Sequence, residues 1–485
     1  MKRTTLIRAS MMALVALLLL PTVASADSFT VDVSNIRGSV GINSMWVIVA
    51  GVFVMLMQAG FAFLEIGFSR GKNAGTVVAK VLMNFSIAGL AYWACGFAFA
   101  FGAGDIIGHT GYFLRDFGDP QKAFPIMGLS DATVEAKWFF QFVFCAVSLA
   151  IVWGTTLERI KFGVYAIYAV VFSAVIYPIA SHWVFGGGWL QSNLGMQDFA
   201  GSTAVHLIGA TGALAVLLHL GPRRGKYGPD GKPRPIPGHN MPLFGLSIFI
   251  LWFGWFGFNP GSTLNALDGR FTEVVVTTQL AACAGVLTAI ITSRLIMKTI
   301  DIGMAGNGAI AALVAITAGS GYVVPWAAVV IGAVAGVLVV VAVLAIDRKL
   351  DDPVGALSAH GLAGIWGTLA CGLFTNPDLA KYNAVGDPGL VYNGSFHQLG
   401  VQALGVVVVF GFVFVSSYVV FGLIKATYGL RVSAEEEDAG LDISEHGMYG
   451  YPEQFIPAPE LIGVGSVRPS SPAASPAMSA SEVPA

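Results

Sequence analysis

Eleven apolar stretches, near 43–66, 79–102, 138–157, 162–184, 200–220, 242–260, 272–293, 304–320, 324–346, 354–374 and 398–424, dominate this chain. Most reach the roughly twenty residues that a helix needs to cross a hydrocarbon core about 30 Å thick. Charge is correspondingly scarce: Asp, Glu, Lys and Arg make up 11% of the 485 residues, against about 25% in an ordinary soluble domain. In lipid, backbone polar groups must be satisfied within the segment, so the stretches read as helices. The expected fold class is an all-α, polytopic membrane protein with 11 transmembrane helices.

The ends of the chain and its basic residues orient this bundle. Lys2, Arg3 and Arg8 precede an apolar run from Met12 to Leu20, followed by Ala24-Ser25-Ala26. That order of charge, short apolar core and small residues marks 1–26 as a signal peptide. The mature chain is expected to begin near Asp27, outside the cytoplasm, with 27–426 as the transmembrane domain. Eleven crossings then leave 427–485 as a cytoplasmic tail. Seventeen of the 26 Lys and Arg fall on the inner side and six on the outer, which is the asymmetry of a multi-pass protein of the cytoplasmic membrane.

One pattern occurs twice: Asp198-Phe-Ala-Gly201-Ser-Thr-Ala-Val-His206 and Asp352-Pro-Val-Gly355-Ala-Leu-Ser-Ala-His360. Each copy opens an apolar segment, and eight residues at 1.5 Å place each histidine about 12 Å into a helix, near the membrane midplane. An ionisable residue at that depth is costly enough to point to function, although a solitary one can simply bond a neighbouring helix. Topology favours function. Spans one to five and six to ten form two blocks of five, and an odd block reverses its orientation when repeated. The expected architecture is therefore two inverted five-helix repeats plus a final helix. His206 then approaches the midplane from outside and His360 from inside. Asp198 and Asp352, at the starts of their helices, are suited to capping orphan amides.

Other residues are less eventful. Gly308-Ala-Ile-Ala-Ala and Gly332-Ala-Val-Ala-Gly336 suit close helix packing in lipid. Glu65, near the inner end of the first span, reads as a local ion pair with cytoplasmic charges such as Arg70. Cys95, Cys145, Cys283 and Cys371 sit in apolar segments at unrelated spacings, which fits free thiols better than disulfides or a metal site. No cofactor motif, basic patch or nucleic-acid motif stands out.

Four stretches together resemble the ammonium transporter (Amt) family of the Amt/Rh superfamily. They are the Asp198–His206 pattern, Trp252-Phe-Gly-Trp255-Phe-Gly-Phe258-Asn-Pro-Gly-Ser262, Asn307-Gly-Ala-Ile-Ala-Ala-Leu-Val-Ala-Ile-Thr317, and Gly440-Leu-Asp-Ile-Ser-Glu-His-Gly447. The resemblance implies a homotrimer with one pore per subunit, each pore lined by His206 and His360. It implies that Phe144 and Phe258 gate the outer mouth, and that Phe144, Phe185 and Ser262 recruit ammonium, with methylammonium as an analogue. Phe185 stands where the family usually has tryptophan, the strongest cation–π partner, and Trp183 and Trp189 are the neighbouring candidates to compensate, with orientations that the sequence does not give. Trp255, Asn307 and Thr317 match supporting positions near the pore or its inner exit.

The chemistry of these residues fits the resemblance. A bare cation entering a medium of ε ≈ 4 pays tens of kcal/mol, but ammonium can shed its proton and potassium cannot. A buried imidazole is biased toward its neutral form, with one donor and one acceptor, so a pair can share a proton and still solvate ammonia. The expected function is ammonium transport, with ammonia conducted with or without a separately carried proton. The alternatives are an ammonium-sensing, receptor-like member with little conduction and an Rh-like neutral gas channel. No nucleophile, base or metal cluster is assembled for an enzyme. In the tail, the resemblance implies a regulatory first part that packs on the cytoplasmic face, with a PII-class protein as a possible partner at the exit; the bland reading of Glu435-Glu-Glu-Asp438 is a solvated acidic run. The end, 465–485, rich in Ser, Ala and Pro, reads as disordered.

Overall fold

The computed structural model describes residues 38–115 and 120–455; the expected signal peptide and the 465–485 segment lie outside them. Among the described residues, eleven helices are long and apolar enough to cross a membrane. They are α1 (Gly38–Phe68), α2 (Gly71–Phe101), α3 (Val134–Thr156), α4 (Phe162–Ser192), α5 (Ser202–Leu220), α6 (Met241–Gly261), α7 (Arg270–Met297), α8 (Ile302–Gly319), α9 (Pro325–Ile346), α10 (Leu357–Phe374) and α11 (His397–Thr427). No strand is present among these residues. Several spans exceed the apolar stretches because polar turns continue the helix beyond the hydrocarbon length; α1 and α2 run to 31 residues each.

The three most buried spans, α3, α5 and α8, form the centre, while α7, α9 and α11 keep most of their surface on the outside. Small residues let the outer helices close on one another. A Cβ on Gly332 of α9 would stand 2.1 Å from the Ala281 carbonyl oxygen of α7, and one on Gly336 would stand 2.2 Å from that of Gly285. Without a hydrophobic effect between helices in lipid, such backbone proximity is the main source of packing energy.

α5 and α10 cross in opposite senses, each start packing on the body of the other. Gly364 of α10 faces the Ser202 carbonyl at the start of α5, while Gly361 at the start of α10 faces Ala210 in the body of α5. Behind the crossing, the Thr203 and Thr368 hydroxyls bond at 2.5 Å.

The end of the bundle that carries the tail is tied by buried charges. Arg223 donates Nε and Nη2 to both oxygens of Asp351, at 2.9 Å each, while Glu158 accepts the backbone N–H and Nε of Arg70, both at 2.6 Å. Burial pushes the Asp351 carboxyl up, but its hydrogen bond and ion pair with Arg223 outweigh this and hold it below the usual carboxylate range. Its stabilisation is therefore present above the ordinary carboxylate value of about 3.9 and is lost as pH falls through the folded value. Replacing Arg223 with Met leaves Asp351 without its bidentate partner and is expected to cost about 3–5 kcal/mol, read as a lowered melting temperature in detergent at neutral pH. The same substitution is expected to matter least below the lowered folded value of Asp351, where the carboxylate is protonated in both states.

Candidate functional site

The doubled motif builds two half-helices. Gly201 has φ +124° and Gly355 φ +76°, conformations that L side chains rarely adopt. These turns fold the preceding aspartates back onto the helix starts. Asp198 Oδ1 accepts from the N–H of Gly201 and Ser202, and Oδ2 from those of Thr203 and Ala204, at 2.8–2.9 Å. Asp352 accepts from Gly355 and Leu357 at 3.0 and 2.7 Å.

The helices consequently begin later than the eight-residue count supposes. α5 starts at Ser202 with a π-turn over Ser202–Leu207, and α10 with one over Leu357–Leu362. His206 and His360 thus lie in the first turn, about 6 Å and about 4.5 Å from their helix starts rather than 12 Å. The segment before α5 is irregular and joins α8 instead, with Phe199 N–H bonding the Ala318 carbonyl at 2.9 Å. This deep, irregular backbone carries both Asp198 and the turn, and it is buried in protein, as lipid demands.

The two imidazoles meet. Their Nδ1 atoms lie 3.2 Å apart, and the rings stack with centroids 5.3 Å apart and planes at 22°. With both rings neutral, one Nδ1 donates and the other accepts, so one Nε2 is left as an acceptor and the other as a donor. Passing the shared proton across the contact exchanges the two roles once the first ring has gained a proton at its Nε2 and the second has released the one on its own. His206 Nε2 is buried and has no hydrogen-bond partner.

The pair lies within a file of rings. Phe144 stacks on Phe258 at 3.9 Å and 17°, Phe258 on His206 at 5.5 Å, His206 on His360, and Phe61 faces His360 at 6.3 Å. Trp255 stacks on His206 from the side at 5.4 Å. Its indole N–H donates to Thr317 Oγ1 at 3.0 Å, so Thr317 fixes the ring that fixes the histidine. Asn307 donates to the Val354 carbonyl at 3.2 Å, which ties α8 to the turn ahead of His360. Beyond His360 a small cavity opens, lined by Phe61, Glu65, Ile151, Asn307, Ile310 and His360.

The residues expected at the outer mouth are less tightly grouped. Ser262 donates its hydroxyl to the Phe258 carbonyl at 2.8 Å, leaving its lone pairs for a cation. Phe185 is half-buried, and among the described residues no ring contact joins it to Phe144. Trp183 donates its indole N–H to Ile106 and packs on Trp189 and Phe412.

A family model described as "Ammonium Transporter Family" matches residues 45–451. The chain belongs to the ammonium transporter family. Across its length this family member is 43% identical to "Ammonium transporter Amt2" of Archaeoglobus fulgidus, covering 93% of this chain and 96% of that one. It is 33% identical to "Ammonium transporter 1 member 3" of Solanum lycopersicum over 84% of this chain and 93% of the relative. Among solved structures, it resembles a "Sensor Amt Protein" with a TM-score of 0.77 at 38% identity, covering 84% of this chain and 99% of that one. Mep2 of Candida albicans matches with a TM-score of 0.74 at 28% identity, over 84% and 90% of the two chains.

Two details of this ammonium transporter family member depart from the sequence reading. Glu65 does not pair with Arg70, whose partner is Glu158; it pairs with Lys80 of α2 inside the bundle. Phe61 was also missed, though its spacing of four residues from Glu65 puts both on one face of α1.

Proposed function

We propose that the protein transports ammonium across the cytoplasmic membrane, with the tail-bearing end inside. The observation that carries this reading is the single file of Phe144, Phe258, His206, His360 and Phe61 in a chain of this family. Ammonium is recruited where Phe144, Phe185 and Ser262 offer ring faces and a hydroxyl oxygen. Phe144 and Phe258, stacked in contact, leave no gap for a hydrated ion, so passage requires the rings to turn. A bare ion faces a Born cost of tens of kcal/mol beyond them, whereas ammonia does not. The proton left behind is taken by the imidazole pair, whose Nδ1–Nδ1 contact can pass it from His206 to His360, while ammonia follows the same column. Asp198, Asp352, Trp255, Asn307 and Thr317 position the rings.

The test is electrical recording from purified protein in liposomes, with ammonium, methylammonium and potassium compared at equal gradients. Current with the first two and none with potassium is the expected result; equal potassium current would overturn the reading. A sensor that binds ammonium but conducts little is the second reading, favoured by the likeness to the sensor Amt protein. It predicts saturable ammonium binding with neither current nor ammonia flux.

We also propose that the protein works as a homotrimer and that its tail regulates conduction, with a PII-class protein as a partner at the inner exit. Polar contacts between the tail and the bundle support the second point. The acidic run is not freely solvated: Glu437 is buried and paired with Arg431, Arg224 pairs with Asp438, and Asp442 accepts from Gly75 N–H, Thr76 N–H and the Thr76 hydroxyl at the start of α2. Asp442→Ala removes a helix cap worth about 1 kcal/mol and should release this part of the tail. The expected outcome is faster proteolysis between 427 and 455 and an altered transport rate. Unchanged transport after deletion from residue 427 would remove the regulatory role.

A further inference from the structure

Glu65 and Lys80 form an ion pair inside the membrane-spanning part of the bundle, each 1% exposed. Such a pair is poor as a source of stability. Well-packed apolar residues of similar volume often serve as well or better, because both charges lose their hydration. Charges at membrane depth therefore invite a search for what they do.

Their placement suggests an answer. Glu65 lies four residues beyond Phe61, the ring that faces His360, on the same face of α1 and about 6 Å along the axis toward the tail-bearing end. Glu65 and His360 line one cavity, which leaves about 20 Å³ for the centres of water molecules. One water needs roughly 10–15 Å³ by that measure, together with polar partners. The walls are otherwise mostly apolar, and Asn307 already gives an N–H to Val354. Glu65 is thus the one acidic side chain among the described cavity-lining residues. Lys80 approaches from α2, binding Glu65 Oε2, with its ammonium over the Tyr165 ring of α4 at 5.6 Å. Glu158, Arg159, Arg223 and Asp351 are engaged with one another in the network at the tail-bearing end.

We propose that Glu65 is the proton acceptor on the inner side of the histidine pair, with Lys80 as the countercharge that lets a buried carboxylate stay ionised. The proposal rests on the reading that the imidazoles carry a proton separately from ammonia. In the step, the Nε2–H bond of a His360 imidazolium breaks and its proton joins a cavity water, which gives one of its own protons to the Glu65 carboxylate. The ring returns to neutral and a carboxylic acid forms. Ammonia arriving in the cavity then takes the carboxyl proton, making ammonium and restoring the carboxylate. No proton is lost or gained over the cycle, and Lys80 stays charged throughout.

The experiment compares full-length protein, Glu65→Gln, Glu65→Asp, the double variant Glu65→Gln/Lys80→Met and His360→Ala in liposomes. The double variant removes both charges together, so that no orphaned ammonium confounds folding. Ammonium current and alkalinisation of the vesicle lumen by ammonia are recorded in the same preparations. Expected are a fall of about tenfold or more in maximal current for Glu65→Gln and the double variant, half-saturation within about twofold of the parent, alkalinisation of the lumen as ammonia enters without its proton, and substantial recovery in Glu65→Asp. Parental current in the double variant would overturn the proposal, as would joint loss of current and ammonia entry, the mark of a structural role. If His360→Ala is silent while the double variant conducts normally, Glu65 is excluded and the imidazole reading survives. If His360→Ala conducts normally while the Glu65 variants are silent, the histidine relay fails and with it the step from His360 to Glu65.

Discussion

His206→Ala and His360→Ala are each expected to lower ammonium current about a hundredfold or more, with little change in the ammonium concentration giving half-maximal current. The size follows from what the rings replace. General acid–base groups commonly contribute 10²–10⁴-fold, and here the alternative is a bare proton in a file of aromatic and aliphatic side chains. The small change in half-saturation follows from distance along the file: recruitment is assigned to the far side of the stacked Phe144 and Phe258. The two losses should not add. Because the rings act through one Nδ1–Nδ1 contact of 3.2 Å, either substitution interrupts the relay, and the double variant should resemble the worse single one. Fully additive losses would mean that the rings work independently; undiminished ammonium-specific current in both single variants would remove the proposed role.

Much of the fold was legible because membrane helices declare themselves by length and apolarity, and all eleven spans fall where the apolar stretches lie. The pairing of the two histidines was legible for a different reason, the repetition of Asp, Gly and His at fixed offsets. What the spacing could not convey was the break before each helix. Counting at 1.5 Å per residue assumes α-helix from Asp198 onward, whereas Gly201 turns the chain and Ser202–Leu207 is a π-turn. Long-range partners were hidden for the same reason. Glu65 has Arg70 nearby in sequence, but Arg70 is drawn to Glu158, 88 residues away, and Lys80 turns inward from α2. A charge inside an apolar segment was the available signal, and Lys80 falls within the second one, 79–102. Phe185 shows the opposite limit: a motif position gives an expected role, while its ring packs beside Gly201 and its share in recruitment depends on geometry that the motif does not encode.

Asp198→Ala is expected to be the most damaging single substitution outside the ring file, and more damaging than Asp352→Ala. Asp198 is 6% exposed and satisfies four backbone N–H groups, two on each oxygen. Alanine leaves all four without their acceptor. At about 1–3 kcal/mol for each unsatisfied buried donor, the loss is on the order of 4 kcal/mol or more, a large part of the stability of an ordinary domain. Asp352 accepts from the N–H groups of Gly355 and Leu357, with that of Ala356 also directed at it, and its loss should cost less than that of Asp198. Asp198→Asn separates charge and geometry from simple removal. Its one carbonyl oxygen can serve Gly201 and Ser202, but its NH₂ then faces the N–H groups of Thr203 and Ala204, donor against donor. It should therefore stand between the parent and Asp198→Ala in thermal unfolding. Transport should fall further than stability, because the amides of Thr203 and Ala204 sit three and two residues before His206, and a small rotation of that turn opens the 3.2 Å imidazole contact. Equal melting temperatures for Asp198→Ala and the parent would show that the turn is held by the Gly201 backbone and the α8 contacts alone.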